Sequence, residues 1–374
     1  MKSLSIPFSK ANILDSDLNK VKKAILSGWL THGPNNKKFE DIFKKFTRTK
    51  FSTTVSNCTA GLHLACLALG LKKGDEVIVP AMTHTATAHA VEFTGAKVVF
   101  ADVDKLNGNI LVNEIKKKYT NKTRCVIVVH MAGYPCDMME IQKFCNKKRI
   151  KIIEDCAHAL GSSYRNRHVG NFGICGVFSF YPTKQITSGE GGMVISNNNN
   201  FIKKIKSLKA FGINTPPQLR KKQGLYDVEC LGYNYRMTEF QAALAIGQLQ
   251  RYKSNLRIRQ KNALLYIKEF KKIFKVRYQA FNKSNSYFIF QLFFINKYIR
   301  DKILLKFKKK NIGASIHYAT PVPFLKYYKR KYRISNKLFP NSRDYSDKVI
   351  SLPVHPYLTR KMIKLISLEI KKNI

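Results

Sequence analysis

The sequence is poor in acid: 23 Asp and Glu stand against 67 Lys and Arg, for a formal net charge of +44 at pH 7. Such an imbalance attracts polyanions at low ionic strength, which keeps nucleic acid among the conceivable partners. No recognition helix and no basic motif interleaved with aromatics stands out, however, so specific nucleic-acid binding is not expected. The excess is uneven, with 31 basic and 5 acidic side chains in residues 251–374. Many basic residues, such as those at 116–118 and 308–310, fall at polar positions of amphipathic segments, where a solvated helix face accounts for them. Cys-x-x-Cys pairs are missing. The eight cysteines (58, 66, 125, 136, 145, 156, 175 and 230) sit in part within apolar runs such as CVIVVH and ACLALG, which favours reduced core thiols over disulfides or zinc. Also missing are an apolar h-region in MKSLSIPFSK and any uncharged apolar stretch of roughly 20 residues. A soluble, cytoplasmic protein is therefore expected. There is no internal repeat, and no low-complexity tract beyond four asparagines at 197–200.

What the sequence does hold is enough apolar material to fold. Its 374 residues, 44% of them hydrophobic, can bury a sizeable core in two domains or in one large domain with an appendage. Strand-like runs alternate with helix-like runs from residue 56 to about 195: EVIVP at 76–80, KVVFADVD at 97–104, CVIVVH at 125–130 and IKIIED at 150–155. That alternation predicts an α/β domain around a mainly parallel sheet. Ligands of such sheets gather at the carboxyl ends of the strands, where Pro80, His130 and Asp155 stand. Amphipathic helices are expected in NNNNFIKKIKSLKAFG and in MTEFQAALAIGQLQRYKSNLRIRQ. Near residue 250 the large domain, residues 1–250 with the N-terminal loop and helix, is expected to give way to a small α/β domain, residues 251–374. The small domain would hold a strand in SYFIFQLFFI at 286–295 and a helix near 300–310.

Three segments carry candidate chemistry. In SFYPTKQITSGEGGM an apolar strand runs into a tight turn with Lys184 and then a glycine-rich tail. A catalytic lysine must be held rigidly and partly desolvated so that its ammonium deprotonates easily, conditions that a strand end followed by a turn can meet. A plain glycine-rich turn before the next strand, MVIS, fits as well. In IIEDCAHALG an apolar strand ends in two carboxylates. A buried acid needs a partner, such as a protonated ring nitrogen of a cofactor, although Asp155 would equally serve as a helix N-cap for AHALG. His158 lies about one turn further on. In TVSNCTAGLHLACLALG, small polar residues open an amphipathic helix. Its free amides at Cys58 and Thr59, with the Thr59 hydroxyl, suit a phosphate, or form an ordinary cap.

Taken together, SNCTAGLHLACLALGLKKGDEVIVPAMTHTATAHAVEFTGAKVVFADVD, IIEDCAHALGSSY, FGICGVFSFYPTKQITSGEGGMV and GYNYRMTEFQAALAIGQL, in this order and spacing, resemble the DegT/StrS-type family of nucleotide-sugar aminotransferases. The resemblance extends from SGWLTHGP at 27–34 to IHYATPVP at 316–323 and SLPVHPYLT at 351–359. It implies a pyridoxal-phosphate-dependent transferase of fold type I, with a large domain built on a mainly parallel central sheet and a smaller C-terminal α/β domain. Lys184 would be the Schiff-base lysine and Asp155 the partner of the pyridinium nitrogen. His84 would cover the cofactor ring, and His158 would stand near its ring oxygen. Cys58, Thr59 and Ser179 would hold the phosphate, the first through its backbone amide, since the family more often has glycine or alanine there. Asn234 in GYNYRM matches a residue that reaches the phosphate of the neighbouring subunit, which implies a homodimer with shared sites. By position, His32, His317 and Tyr318 are candidates for the sugar-nucleotide side.

The resemblance also narrows the reaction. Related sugar dehydratases carry histidine where this chain has Lys184, so amino transfer is expected, with glutamate as the usual donor. The ending TSGEGGM resembles members that aminate the fourth carbon of a 4-keto sugar, whereas third-carbon members tend to read GALGDGG. SGWLTHGP likewise resembles enzymes that make 4-amino-arabinose and perosamine nucleotides. The competing reading, prompted by the charge alone, is a polyanion-binding or regulatory protein on a transaminase scaffold.

Overall fold

The computed structural model describes residues 5–213 and 222–374. Its strands, in chain order, are β1 (Phe51–Val55), β2 (Glu76–Pro80), β3 (Lys97–Ala101), β4 (Thr123–Val129), β5 (Lys151–Asp155), β6 (Ser163–Tyr164), β7 (Arg167–His168), β8 (Cys175–Ser179), β9 (Gly192–Ser196), β10 (Val276–Tyr278), β11 (Phe290–Phe294) and β12 (Val349–Leu352). The helices are α1 (Asp15–Leu26), α2 (Pro34–Thr47), α3 (Cys58–Ala68), α4 (Thr85–Glu92), α5 (Val112–Lys118), α6 (Met138–Lys148), α7 (Asn199–Leu208), α8 (Glu239–Phe270), α9 (Lys297–Lys309), α10 (Lys326–Lys331), α11 (Pro340–Lys348) and α12 (Arg360–Lys371).

Seven strands form the central sheet in the order β1-β9-β8-β5-β4-β2-β3. From β3 through β8 every pairing is parallel, while β9 runs antiparallel to both β8 and β1. The sequence explains this arrangement. β2 is apolar over most of its length and buried throughout, and only a sheet covered by helices on both faces hides such strands. The expected runs EVIVP, CVIVVH and IKIIED thus lie in neighbouring parallel strands, which brings the ends of β5 and β8 side by side. SYFIFQLFFI yields a strand over its second half only. Its first half is taken up elsewhere: the Ser286 amide donates to Ser162 Oγ at 3.1 Å, and the Phe288 amide to Ala132 O at 3.2 Å.

A second sheet, β10-β11-β12, is antiparallel and has its own core with Phe290, Leu292, Ile303, Phe307, Ile350 and Ile366. Helix α8 runs unbroken through residue 250 and serves both cores. Ala242, Ile246, Leu249 and Tyr252 pack with Phe39 and Phe180, and Ala263, Tyr266 and Phe270 pack on the small sheet. Two segments cross over. Ile6 bridges Ile312 and joins the small core, while Tyr328 and Phe339 pack with Phe100 of the large one.

Seven of the eight cysteines are buried, Cys230 is exposed, and all are free thiols.

Candidate active site

Lys184 stands on the loop that leaves β8. Its amide donates to Tyr181 O at 2.9 Å, and the Ser188 amide donates to Phe180 O at 3.0 Å, which closes the loop on itself. Gly191 helps to make this possible: its φ is +157°, and a Cβ there would meet Ser188 Oγ at 2.4 Å. Gln185 anchors the loop from below, donating to His158 O at 2.7 Å and Ser286 Oγ at 3.1 Å. The Lys184 side chain is half-buried as a whole, but its amine is enclosed. It lies 4.7 Å from the centroid of the Phe288 ring. Burial lowers the ammonium to about 8, against the opposing pull of Cys58 and Asp155.

Asp155 ends β5, next to β8. Its carboxyl accepts the Thr87 hydroxyl at 2.9 Å and the Ala157 amide at 3.1 Å, and Thr87 is held in turn by Thr83 at 2.7 Å. No helix follows; residues 156–161 are turns, so the bond to Ala157 closes a turn where a helix cap was one of the expectations. Burial pushes the Asp155 carboxyl above its usual range, although both hydrogen bonds, Lys184 and His84 pull it down. A carboxyl so placed gains from a cation set against it.

Rings wall the lysine. His158 stacks on Phe288 with centroids 4.4 Å apart, its Nε2 is 3.2 Å from the Tyr318 hydroxyl, and its buried Nδ1 has no hydrogen-bond partner among the described residues. His84 caps α4, with Nδ1 accepting the Ala86 amide at 3.2 Å, and meets Tyr318 edge-on at 5.6 Å. His317 approaches Ser351 Oγ at 3.0 Å through Nδ1 and stacks on Phe8 at 5.6 Å. Burial lowers all three imidazoles, with Lys184 adding to the effect: His158 falls well below its usual value, and His317 drops to about 3. All three are neutral near pH 7.

The N-terminus of α3 closes the far side. Asn57 Oδ1 accepts the Ala60 amide at 2.8 Å, leaving the amides of Cys58 and Thr59 for another acceptor. Ser179 pairs with Gly192 across the sheet, and a Cβ on Gly192 would stand 2.9 Å from the Cys58 nitrogen. The space before these amides exists because residue 192 is glycine. Cys58 Sγ points away toward Val177 O at 3.9 Å, so only its amide faces the cradle.

His32 and Asn234 stand apart from this group but near each other. Arg236 joins them, with Nε 2.9 Å from Asn234 Oδ1 and NH1 2.8 Å from His32 Nε2. Both His32 and Arg236 line a cavity of about 980 Å3 to which no residue of the Lys184 cluster contributes.

Sequence reasoning missed several residues. Phe288, the platform under Lys184 and His158, is held by Arg259 of α8 at 3.3 Å through its carbonyl. Glu239 is buried and accepts the amides of Gly33 (2.9 Å), Asn35 (2.7 Å) and Asn36 (3.1 Å), which fixes the His32 loop to the start of α8. Its signal was an acid at the head of a long apolar-faced helix. His130, one of the strand-end candidates, serves structure. Its Nδ1 accepts the Cys136 amide at 3.0 Å, so Nε2 carries the proton that faces Glu154 at 3.1 Å. Glu154 also accepts the amides of Gly170, Phe172 and Gly173. His130, Glu154 and Cys156 are close enough to share an ion, but both nitrogens of His130 and both oxygens of Glu154 are already engaged in this network.

The class that this fold and site define is the fold-type-I aminotransferases, as the resemblance implied. Comparison with known proteins narrows it: the chain matches the DegT/DnrJ/EryC1/StrS aminotransferase family over residues 12–371 and belongs to that family. GDP-perosamine synthase of Escherichia coli O157:H7 is 33% identical over 360 residues, covering 96% of this chain and 95% of the relative. Among solved structures, a putative sugar aminotransferase of Streptococcus pneumoniae in its PMP form has a TM-score of 0.93 at 28% identity, covering 98% of each chain. PseC of Helicobacter pylori, an aminotransferase involved in the biosynthesis of pseudoaminic acid, has a TM-score of 0.92 at 27% identity over 99% of each.

Proposed function

We propose that this aminotransferase moves an amino group from glutamate to a nucleotide-linked 4-keto sugar, for cell-surface glycan synthesis in the cytoplasm, with pyridoxal 5′-phosphate as cofactor. The observation that carries this reading is the enclosed Lys184 amine, lowered to about 8, on the loop that leaves β8, the strand next to that of the buried Asp155 carboxyl. The PMP form of the Streptococcus relative supports the cofactor. When bound, the cofactor supplies an electron sink for the substrate carbon, provided that its ring nitrogen stays protonated. Asp155, a buried carboxyl that accepts hydrogen bonds from Thr87 and the Ala157 amide, would hold that proton. His84 would cover the ring, and His158 would offer its unpaired Nδ1 to the ring oxygen. The amides of Cys58 and Thr59, with the hydroxyls of Thr59 and Ser179, would take the phosphate.

Lys184 Nζ serves as the base. An amine with a pKa near working pH can both take a proton from a substrate carbon and return it. Phe288, Tyr318 and His317 exclude water from the amine and keep its pKa low. His317 and Tyr318 face the sugar side. Asn234 would serve the cofactor phosphate of a second copy in a homodimer, with His32 beside it. Exposed apolar residues around it support this pairing: Leu231 is 85% exposed, with Leu225, Tyr226 and Val228 also uncovered. We place the division between the large cofactor-binding unit and the small unit near residue 250, within α8.

The test is incubation with 15N-glutamate and a panel of nucleotide-linked 3-keto and 4-keto sugars, read by mass spectrometry. Label is expected in a 4-keto acceptor. Label only in 3-keto acceptors would overturn the position, and keto-acid formation with no labelled sugar would overturn the acceptor class.

A further inference from the structure

The basic excess of the small unit is not needed by the site, and one part of it surrounds side chains that a soluble protein ordinarily hides. Helix α8 ends at Phe270. The chain then makes a turn in which the Val276 amide donates to Ile273 O at 3.4 Å, and Phe274 stands at its tip, 100% exposed. Across the small sheet Val276 pairs with Phe294, so Ile295 leaves the sheet at the same end as Lys275. Ile295 is 56% exposed, and Tyr298, in the first turn of α9, is 77% exposed. Ile273 behind them packs against the small core, which fixes the turn.

Charge surrounds this end of the sheet. Lys271, Lys272, Lys275 and Lys302 are exposed, and among the described residues none of them takes part in an ion pair. The acids at hand are committed: Asp301 to Lys297 and Arg300, and Glu269 to Lys371. Protruding rings on a rigid turn, flanked by unpaired lysines, suit the boundary of a bilayer, where ammonium groups meet lipid phosphates and rings enter the acyl edge. A groove for a protein segment would be concave, whereas these side chains project singly.

We propose that this end of the small unit docks on anionic lipid bilayers, Phe274 and Tyr298 inserting while Lys271, Lys272 and Lys275 contact headgroup phosphates. The docking is peripheral, because no described helix is long and apolar enough to cross a membrane. It is independent of the sugar that the enzyme aminates.

The test uses the full-length protein and flotation with phosphatidylglycerol/phosphatidylcholine vesicles. F274S/Y298S keeps the net charge and is expected to lose roughly tenfold or more in vesicle affinity, with aminotransferase activity and circular dichroism unchanged. The triple substitution K271Q/K272Q/K275Q is expected to weaken binding, whereas K116Q/K117Q/K118Q on α5, which removes equal charge elsewhere, leaves it. In F274W, emission should shift to the blue with vesicles, beyond any change from Trp29 in the parent. Equal binding by the parent and F274S/Y298S, equal binding to pure phosphatidylcholine, or no vesicle binding by the parent would each overturn the proposal. So would an equal loss of duplex DNA affinity in F274S/Y298S, which would make this a nucleic-acid surface.

Discussion

Asp155 and Lys184 come from adjacent parallel strands, and each sets the other's proton affinity. Burial dominates both, raising the acid and lowering the amine, while their mutual attraction opposes it. In cofactor-free protein, with the Lys184 ammonium lowered to about 8, acylation of Lys184 is expected to be slow well below pH 8 and to rise above it. Removing the acid's charge in Asp155→Asn should move this midpoint downward, because Asp155 is one of the groups that hold the amine up. Competitive acylation against pH, read by peptide mass, checks both; an upward shift or none would contradict the coupling. Asp155 and Lys184 stood out in sequence because each follows an apolar run, and the α3 amides because small polar residues open that helix, whereas His84 was singled out by the family resemblance alone. Phe288 did not stand out. It belongs to a run that looked like one strand, and its role depends on bonds to Ala132 and Arg259, distant in sequence.

At the scale of elements, Glu239 shows how a helix start can organise a loop over 200 residues away. The first turn of α2 presents unpaired amides, and the buried carboxylate of Glu239 collects three of them together with the Asn36 side-chain amide. The Glu239→Gln protein places an amide donor against those donors. It should be roughly 2–3 kcal/mol less stable to denaturant, and it should also lose affinity for the sugar nucleotide if the His32 loop serves that substrate. Urea unfolding at fixed m-value measures the first effect, and an unchanged midpoint would contradict it. The periodicity of MTEFQAALAIGQLQRYKSNLRIRQ predicted a long helix here, but not its extension to Phe270. The added turns are stabilised by the small core, which local pattern cannot reveal. The proposed division near residue 250 falls inside this helix, where the backbone has no break.

At the scale of the molecule, in the homodimer proposed above the Lys184 cluster of one chain and the Asn234–Arg236–His32 group of the other would be halves of one shared site. Lys184→Ala and Asn234→Ala would each be inactive alone. Co-expressed, they should recover about a quarter of wild-type activity, since half of the random dimers would carry one intact site of two. No recovery would contradict a shared site. Much of the net charge was read as solvated helix faces, and in sequence a solvated lysine and a docking lysine look alike. The exposure of Phe274 and Tyr298 among unpaired lysines is what marks out this part of the surface.

The central claim is that one lysine among so many binds the cofactor. Borohydride reduction of the holoenzyme followed by peptide mapping tests it most directly. Stoichiometric phosphopyridoxyl label on the peptide containing Lys184, and its loss in Lys184→Ala, is the predicted result. Label on another lysine, or full label retained in Lys184→Ala, would contradict the account.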